Sequence, residues 1–459
     1  MSRPLTQVHL GEGYLGKIRM REALYADPIL TDAHRRFLGE AEQFNYRGLT
    51  ATFLQRPLIV KEAFAFMCYA LRATNGRLAD GLLSNLESFG SEGDRMAGRE
   101  ILSCYAVREA LVGLTAKEVA GMVSATMLDV MRFPDYGDRV IETCGMGGDR
   151  GVMIKEETVA RKTINGSTLS AIVLASLGIS TTKHGSYGNT SPVGSTNAIE
   201  DLGVNVDIPD AFIQQQLASE GFHFTDAHAW KTIHDLSHLQ PRRETINHVV
   251  GPMTPPISPN TRLDKILGVN DKLPPWIVAE AYTILANLGV FKMGNVAVVA
   301  GFERRPHESG MIESREYLRD NVRLDELSPE ASVVTFASGT RMLGTHLLVP
   351  AYFGVEFRHP DAPYILNDRE VIREANEQAL RGKMDERQLV ELLAMNAALG
   401  LYLVQYMDDD TELECRGPNR DALKLCYQRC LEQVASGRTF AYLSKYAERT
   451  RRLAKGVSM

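Results

Sequence analysis

The sequence has no excess of positive charge, no paired cysteine motif, no long apolar run and no compositional bias. Lys and Arg total 51 against 57 Asp and Glu, a net charge of −6 and a pI near 6.0. Nucleic-acid binders usually carry a basic excess, so a nucleic-acid partner is not expected. The six cysteines (Cys68, Cys104, Cys144, Cys415, Cys426 and Cys430) are scattered, with no C-x-x-C pair. This argues against a disulfide framework or a zinc site and makes a reducing cytoplasm the expected location. No apolar run reaches the roughly 18 residues of a membrane helix. Residues 1–17 contain no apolar h-region of a secretory signal, and no membrane partner is expected. Gly (38) and Pro (19) are at ordinary levels, and 44% hydrophobic with 24% charged residues is a globular composition. Collagen-like, low-complexity and disordered classes fall, and no internal repeat is present. At roughly 150 residues per domain, the length of 459 leaves room for about two or three domains.

What is present changes character at residues 133–138, Phe-Pro-Asp-Tyr-Gly-Asp, a turn-rich stretch and the best candidate boundary. Residues 1–135 read as helical, with segments at 21–25, 32–44 and 58–71 that lack β-type alternation. The clearest helix begins at Thr115-Ala116-Lys117-Glu118, where hydroxyl and carboxylate are spaced to satisfy orphan N–H groups reciprocally. Behind this cap Val119, Met122, Val123, Met127, Val130 and Met131 recur at helical spacing, as a core-facing stripe does. After the boundary, strand and helix patterns alternate. Residues 139–143 read as a strand, 167–178 as a buried helix, 179–183 as a strand, 275–288 as a helix with Pro in its first turn, and 296–300 as a buried strand. Helical patterns resume at 369 and continue to about 452. The expected fold is α/β: a small all-helical N-terminal domain over 1–135, and a large α/β domain over 136–459 with a mostly parallel central sheet flanked by helices.

Four short motifs suggest chemistry. Gly145-Met146-Gly147-Gly148-Asp149 follows the first strand, and glycines there let backbone N–H groups approach anionic oxygens. It is neither a P-loop nor G-x-G-x-x-G, and a purely structural turn is the alternative. Asn165-Gly166-Ser167-Thr168 opens a helix, where amide and hydroxyls suit phosphate or a metal that phosphate also ligates. A simple N-cap is the alternative there. Lys183-His184-Gly185-Ser186 ends a strand, where a lysine faces the ligand crevice of an open α/β sheet. Asp325-Glu326 offers adjacent carboxylates of the kind that hold Mg²⁺, or a solvated surface pair.

In this order and spacing, together with Gly251-Pro252, Gly194-Ser195, Leu202-Gly203 and Gly437-Arg438-Thr439, the motifs resemble the anthranilate phosphoribosyltransferase family, a relative of the pyrimidine nucleoside phosphorylases. The resemblance spans roughly residues 100–455. It implies a helical domain that also forms a homodimer, completed by a segment near 205–250, with an active site between it and the α/β domain. It implies phosphoribosyl pyrophosphate and a small aromatic acceptor as substrates, with Mg²⁺. Carried over position by position, the backbone of Gly145, Gly147, Gly148 and Asp149 would hold the diphosphate, and Asn165, Thr168 and Lys183 the ribose phosphate. Ser167 would reach one Mg²⁺, and Asp325 with Glu326 a second. His184 would lie near the acceptor as a proton-accepting group, a buried structural histidine being the alternative. The acceptor side would include Ser186, Pro252, His228 and His238.

The chain also departs from that pattern. Met146 stands where the family has Thr, and Ser186 and Tyr187 where it has Asn and Arg. Alignment back from Gly251-Pro252 places His238 on the Arg that meets the anthranilate carboxylate in the family, unless a shift offers Arg242 or Arg243. A histidine is a poorer partner for a carboxylate than a bidentate arginine, so the acceptor is expected to differ from anthranilate. Insertions occupy 150–164, as a mobile cover or a surface loop, and 303–322, before the Asp-Glu pair. The N-terminal 80 or so residues also exceed the family's usual helical start. Competing functions are a nucleoside phosphorylase, which needs no Asp-Glu pair, and a non-catalytic binding protein on the same fold.

Overall fold

The computed structural model describes residues 31–74, 86, 87, 89–129, 134–154, 157–188, 191–227, 235, 236, 239, 246–357, 361 and 363–455. The chain divides into two compact units. The first comprises Met1–Pro134, Ala227–Asn260 and Glu280–Lys292; the second comprises Asp135–Asp226, Thr261–Ala279 and Met293–Met459.

The described elements of the first unit are helical. Its main helices are α1 (Asp32–Ala41), α2 (Tyr46–Gln55), α3 (Val60–Arg72), α4 (Gly90–Leu111) and α5 (Ala116–Thr126). The cap on α5 forms as its spacing requires. Thr115 Oγ1 accepts from the Glu118 N–H at 3.3 Å, and Glu118 Oε2 accepts from the Thr115 N–H at 2.8 Å. The other oxygen of Glu118 accepts the Leu58 N–H at 3.0 Å and faces Arg108 at 3.5 Å. Arg108 in turn donates to Phe53 O at 2.6 Å. One buried carboxylate thereby joins the α5 cap to the end of α2, the start of α3 and the face of α4. Val119, Met122 and Val123 are buried as their spacing predicts, but the α-helix ends at Thr126 and a 3₁₀ turn follows over Met127–Asp129. Val130 and Met131 lie outside the described residues.

Of the expected completing segment near 205–250, the part from Ala227 belongs to this unit, which Ala227–Asn260 and Glu280–Lys292 complete. Residues 205–226 remain with the second unit, because α8 (Asp210–Glu220) leads into Phe222–Asp226, a strand of its sheet.

Among the described residues that sheet has eight strands. β1 (Arg139–Gly145), β3 (Thr181–Gly185), β4 (Phe222–Asp226), β5 (Arg262–Gly268) and β6 (Met293–Phe302) run parallel in the order β4-β3-β1-β5-β6. β7 (Val322–Leu324) and β8 (Ala331–Ser338) pair antiparallel with β6, and β9 (Arg341–Leu348) pairs antiparallel with β8. The expected mostly parallel α/β sheet is the fold observed. Its strands read as apolar runs because both faces are covered; all ten residues of β6 are buried. A two-stranded ribbon, β2 (Arg161–Lys162) with β10 (Ile365–Leu366), lies outside the main sheet.

The main described helices of this unit are α6 (Gly166–Ser176), α7 (Ser195–Asp201), α8, α10 (Arg315–Asn321), α11 (Arg369–Leu380), α12 (Arg387–Gln405), α13 (Arg420–Ala435) and α14 (Arg438–Ala454). Helix α9 (Pro275–Asn287) carries the chain out of it into the first unit. One sequence expectation needs correction. The stretch Met384–Gln405, which includes α12, is long and apolar enough to cross a membrane by length and composition, and 78% of its most apolar window is buried inside the protein. Polar residues such as Gln388, Glu391 and Asn396 interrupt any continuous run, which conceals the segment from a run-length reading. An enclosed core helix is apolar on most of its circumference for the same reason that a membrane helix is.

The chain leaves β1 toward β3 and β4 on one side, then returns to lay β5 and β6 on the other. Such a reversal opens a crevice outside the C-terminal ends of the two central strands.

Removing the α5 cap hydroxyl by Thr115→Ala is expected to lower stability by about 1 kcal/mol. Glu118→Ala, which strands Arg108 in the interior, should cost about 3–5 kcal/mol. Urea midpoints of the two variants would check the order; equal losses would contradict the shared role of the Glu118 carboxylate.

Candidate functional site

Two glycines end the central strands side by side, Gly145 on β1 and Gly268 on β5, paired in register. A methyl group on Gly145 would lie 2.2 Å from Asp325 Oδ2, and one on Gly268 would lie 1.4 Å from Asp325 O. The Asp325-Glu326 segment thus lies directly across the strand ends, where only glycine leaves room. Beyond Gly145 the chain turns through Gly147 and Gly148, both at positive φ (68° and 66°). The Gly147 N–H donates to Asp325 Oδ2 at 2.7 Å, and Asn270 Nδ2 donates to Gly147 O at 2.9 Å. Met146 is a buried side chain whose N–H donates to Gly268 O at 2.9 Å, so the loop keeps its path without a threonine there.

Asp149 ends this loop, and Lys162 Nζ donates to its Oδ1 at 2.7 Å. Burial and the neighbouring Asp325 charge push the Asp149 carboxyl up to about 6, against the pull of Lys162. Glu326 packs against the first turn of α6, where a methyl on Gly166 would lie 1.7 Å from Oε2. Its Oε1 accepts the hydroxyl of Thr163. Burial, helped by Asp325 and Asp149, raises the Glu326 carboxyl to about 8 although that hydroxyl opposes it.

The start of α6 completes the cleft. Ser167, Ser170, Thr143, Cys144, Gly268, Asn396, Asp325 and Glu326 line it. Thr143 Oγ1 donates to Ser167 O at 2.6 Å. The hydroxyls of Thr168 and Ser170 are buried and make no hydrogen bond to a described residue. Asn165 is not a side-chain cap. Its N–H donates to Asn376 Oδ1 at 2.9 Å, its Oδ1 accepts from Asn376 Nδ2 at 2.8 Å, and its own amide reaches Val193 O at 3.3 Å.

Lys183 and His184 lie one strand away, on β3. Lys183 is buried, donates to His184 O and reaches Cys144 Sγ at 3.9 Å, at the edge of the cleft. His184 Nδ1 bonds Glu142 Oε1, while Lys265 Nζ bonds the other oxygen of Glu142. Burial alone would raise the Glu142 carboxyl, but the charges of His184 and Lys265 outweigh it and hold it near 2. Burial lowers the His184 imidazole below its ordinary range, against the pull of Glu142.

The structure thus gathers Gly145, Gly147, Asp149, Ser167, Asp325 and Glu326 at one crevice, with Lys183 at its edge. Ser186 follows β3, and its carbonyl accepts the Thr196 N–H at 3.1 Å. Pro252 belongs to the first unit, while the other described candidates belong to the second. His228, His238, Arg242 and Arg243 lie outside the described residues. Sequence reasoning missed Lys162, Thr163, Glu142, Lys265 and Asn376. Glu142 did carry a signal, a lone charge inside the apolar run of β1, and Lys265 lies beside Asp264 inside β5, whereas Asn376 carried none.

The 150–164 insertion is neither a loose surface loop nor a detached cover in its described part. Val152 and Arg161 exchange two backbone hydrogen bonds at 2.8 Å, β2 pairs with β10, and the Gly151 N–H donates to Arg323 O at 3.0 Å. Arg323 follows the 303–322 insertion, so the segments around the two insertions are joined to each other beside the carboxylates.

Asp149, Asp325 and Glu326 form a cluster of hard oxygen donors in which Lys162 is the ammonium that pairs with Asp149. Among the described residues no group of three or more His, Cys, Asp or Glu side chains is placed to hold a metal ion by itself. The donors suit Mg²⁺, which needs few carboxylates and completes its shell with water and substrate phosphate.

A mostly parallel α/β sheet whose switch-point crevice combines a glycine turn, a helix start and paired carboxylates is the architecture of nucleotide- and phosphate-handling α/β proteins. Sequence comparison supplies the family: the glycosyl transferase family a/b domain matches residues 137–438, and the chain belongs to that family. It is 25% identical over 361 residues to the anthranilate phosphoribosyltransferase of Caldanaerobacter subterraneus, covering 76% of this chain and 93% of that protein. It is 28% identical over 307 residues to the Pyrococcus abyssi enzyme of the same name, covering 65% and 79%. In fold it is similar to the anthranilate phosphoribosyltransferase of Thermus thermophilus, with a TM-score of 0.61, 21% identity, and 88% and 99% of the two chains covered. The Saccharomyces cerevisiae enzyme in complex with PRPP and Mg gives 0.60 at 18% identity, covering 96% and 100%.

Glu326 and Asp149 hold protons in the folded state over a range where the unfolded chain has released them. Raised carboxyl pKa values mean that stability is lost as pH rises, here between about 4.5 and 8 for Glu326 and between 3.8 and 6 for Asp149. The metal-free protein should therefore melt at lower temperature at pH 8.5 than at pH 5, and Glu326→Gln should flatten the profile. Thermal unfolding in a chelator checks this; a wild-type Tm that rises over the same range would contradict it.

Proposed function

We propose that the protein is a phosphoribosyltransferase that moves ribose 5-phosphate from phosphoribosyl pyrophosphate to an aromatic or heteroaromatic acceptor and releases pyrophosphate. The observation that carries this reading is the seating of Asp325-Glu326 on Gly145 and Gly268, beside the glycine turn and the start of α6. Family membership and the relatives' names agree with it. In this reading the backbone of Gly145, Gly147, Gly148 and Asp149 takes the diphosphate. Asn165, Thr168 and Lys183 take the ribose phosphate. Ser167, Asp325 and Glu326 would hold Mg²⁺, which when bound supplies positive charge to the departing diphosphate.

The acceptor's nitrogen forms a bond to the anomeric carbon as the bond from that carbon to the diphosphate oxygen breaks. The electron pair leaves with pyrophosphate, and the acceptor's proton passes to a base. His184 is the base in this reading. Glu142 bonds its Nδ1 side, an arrangement in which a carboxylate orients an imidazole and stabilises its charged form. The buried Thr168 and Ser170 hydroxyls without a described partner are donors that a bound ligand would satisfy.

The acceptor side supports a compound other than anthranilate. Ser186 and Tyr187 replace the family's Asn and Arg, and Tyr187 Oη bonds Glu200 at 3.1 Å, which leaves no cation at that position to meet a carboxylate. Ser186, His228, His238 and Pro252 remain the proposed acceptor-side residues. The large apolar side chains exposed on the helical unit, Leu54, Met96, Val107, Leu111 and Val112, support a homodimer formed through that unit. The six unpaired cysteines support a reducing cytoplasm as its location.

A screen of aromatic amines, acids and bases for pyrophosphate release from phosphoribosyl pyrophosphate tests the reaction. An acceptor that drives release supports it, and consumption of a nucleoside with phosphate in its place would overturn it. With the active acceptor, Asp325→Asn with Glu326→Gln should lower kcat by about 10²–10³. Full activity of that double variant would remove the metal assignment. Anthranilate should be turned over with kcat/KM about a hundredfold below the preferred acceptor, since its carboxylate lacks an arginine partner. Efficient turnover at low micromolar anthranilate would overturn the altered-acceptor reading.

A further inference from the structure

The 150–164 insertion delivers one side chain into the carboxylate cluster. Lys162 lies on β2, and β10 pairs with it in the register Lys162↔Ile365. The arm before it folds back through the Val152 and Arg161 hydrogen bonds, and Glu157 grips the Arg161 guanidinium at 2.6–3.1 Å. Val152 also packs with Leu324 and Tyr364 in a small apolar cluster of its own. The backbone of Lys162 is therefore held in place, and its ammonium meets Asp149 at 2.7 Å with both side chains mostly buried.

The local charges give this placement a consequence. Asp149 and Glu326 both feel the Asp325 charge, Glu326 feels Asp149 as well, and Lys162 opposes the negative charge on both Asp149 and Glu326. Lys183, at the edge of the crevice, is held by the His184 carbonyl. An ammonium at the end of a glycine turn is a strong phosphate ligand, with three donors and a full charge.

We propose that Lys162 is a substrate-binding residue contributed by the insertion. Without donor substrate it is the internal counter-cation of Asp149; with donor bound it contacts the diphosphate and replaces part of the charge that a divalent ion would supply. The inference rests on the phosphoribosyltransferase reading. It goes beyond that reading by assigning the insertion to diphosphate binding and metal demand, rather than to covering the site.

The test uses the full-length protein and two ligands, Mn²⁺ alone, followed by its EPR signal, and pyrophosphate with Mg²⁺, followed by titration calorimetry. Lys162→Gln removes a cation that competes for Asp149. Mn²⁺ binding without substrate should tighten about tenfold while pyrophosphate binding weakens about tenfold, each the worth of one charge-assisted contact. Lys162→Arg should restore pyrophosphate binding. Opposed changes that Arg reverses support the proposal, because damage to the fold would weaken both ligands. Both weakened, both unchanged, or only one changed would overturn it. If the wild-type protein itself binds no pyrophosphate in the presence of Mg²⁺, the phosphoribosyltransferase reading fails, not the assignment of Lys162 alone.

Discussion

The site depends on the absence of two side chains. β1 and β5 end in Gly145 and Gly268, and a third chain segment crosses them so closely that a single methyl on either would occupy the place of an Asp325 atom. Adjacent strands are about 4.8 Å apart, so ordinary side chains at both ends would fill the space above them. With neither present, the carboxylate of Asp325 lies against the glycine turn and takes the Gly147 N–H. The position of Glu326 follows, because the next residue along is carried to the first turn of α6, where Gly166 again has no side chain to obstruct it. The cleft is thus assembled by backbone from four separate stretches of sequence.

Such close seating has an electrostatic cost. Asp149, Asp325 and Glu326 share a poorly solvated crevice, and two of them hold their protons well above the ordinary carboxylate range. A positive ligand relieves that repulsion, and Lys162 relieves part of it from within the chain. The contrast with Glu142 is instructive. Glu142 is fully buried in the sheet, yet His184 and Lys265 hold it ionised because both of its oxygens have a charged or protonated partner. One network is satisfied by the protein itself, and the other is left with an excess of negative charge at an opening where ligand can enter.

Much of this was legible in the sequence wherever the controlling interaction is local. The α5 cap follows from the three-residue spacing of Thr115 and Glu118, and the sheet follows from apolar runs such as 296–300 alternating with helical patterns. The glycine turn and the Asp-Glu pair could be named as candidates, since their chemistry resides in the residue types. What the sequence does not display is pairing over long separation. Asn165 looked like a helix cap, but its side chain is committed to Asn376, 211 residues away. Residues 205–226 fitted a helical completion of the first unit, but a strand partner placed them in the sheet. The apolarity of Met384–Gln405 was masked because burial in a core tolerates isolated polar residues that break a run.

The insertions show most clearly why spacing alone misleads. As sequence, 150–164 is a charged stretch beside a phosphate motif, and charge of that kind usually means solvent exposure. Its fate is decided by β10, about 200 residues later, which supplies a partner strand for Arg161 and Lys162. Once that ribbon forms, a Lys that would otherwise be a solvated surface charge is held against Asp149, and Thr163 is placed on Glu326. The Gly151 N–H then ties the same arm to Arg323, two residues before Asp325. Both carboxylate-bearing segments of the cleft are therefore braced by one arm. A change in that arm acts on the loop end at Asp149 and on the approach to Asp325 together, which makes the insertion part of the site's construction and not an addition to its surface.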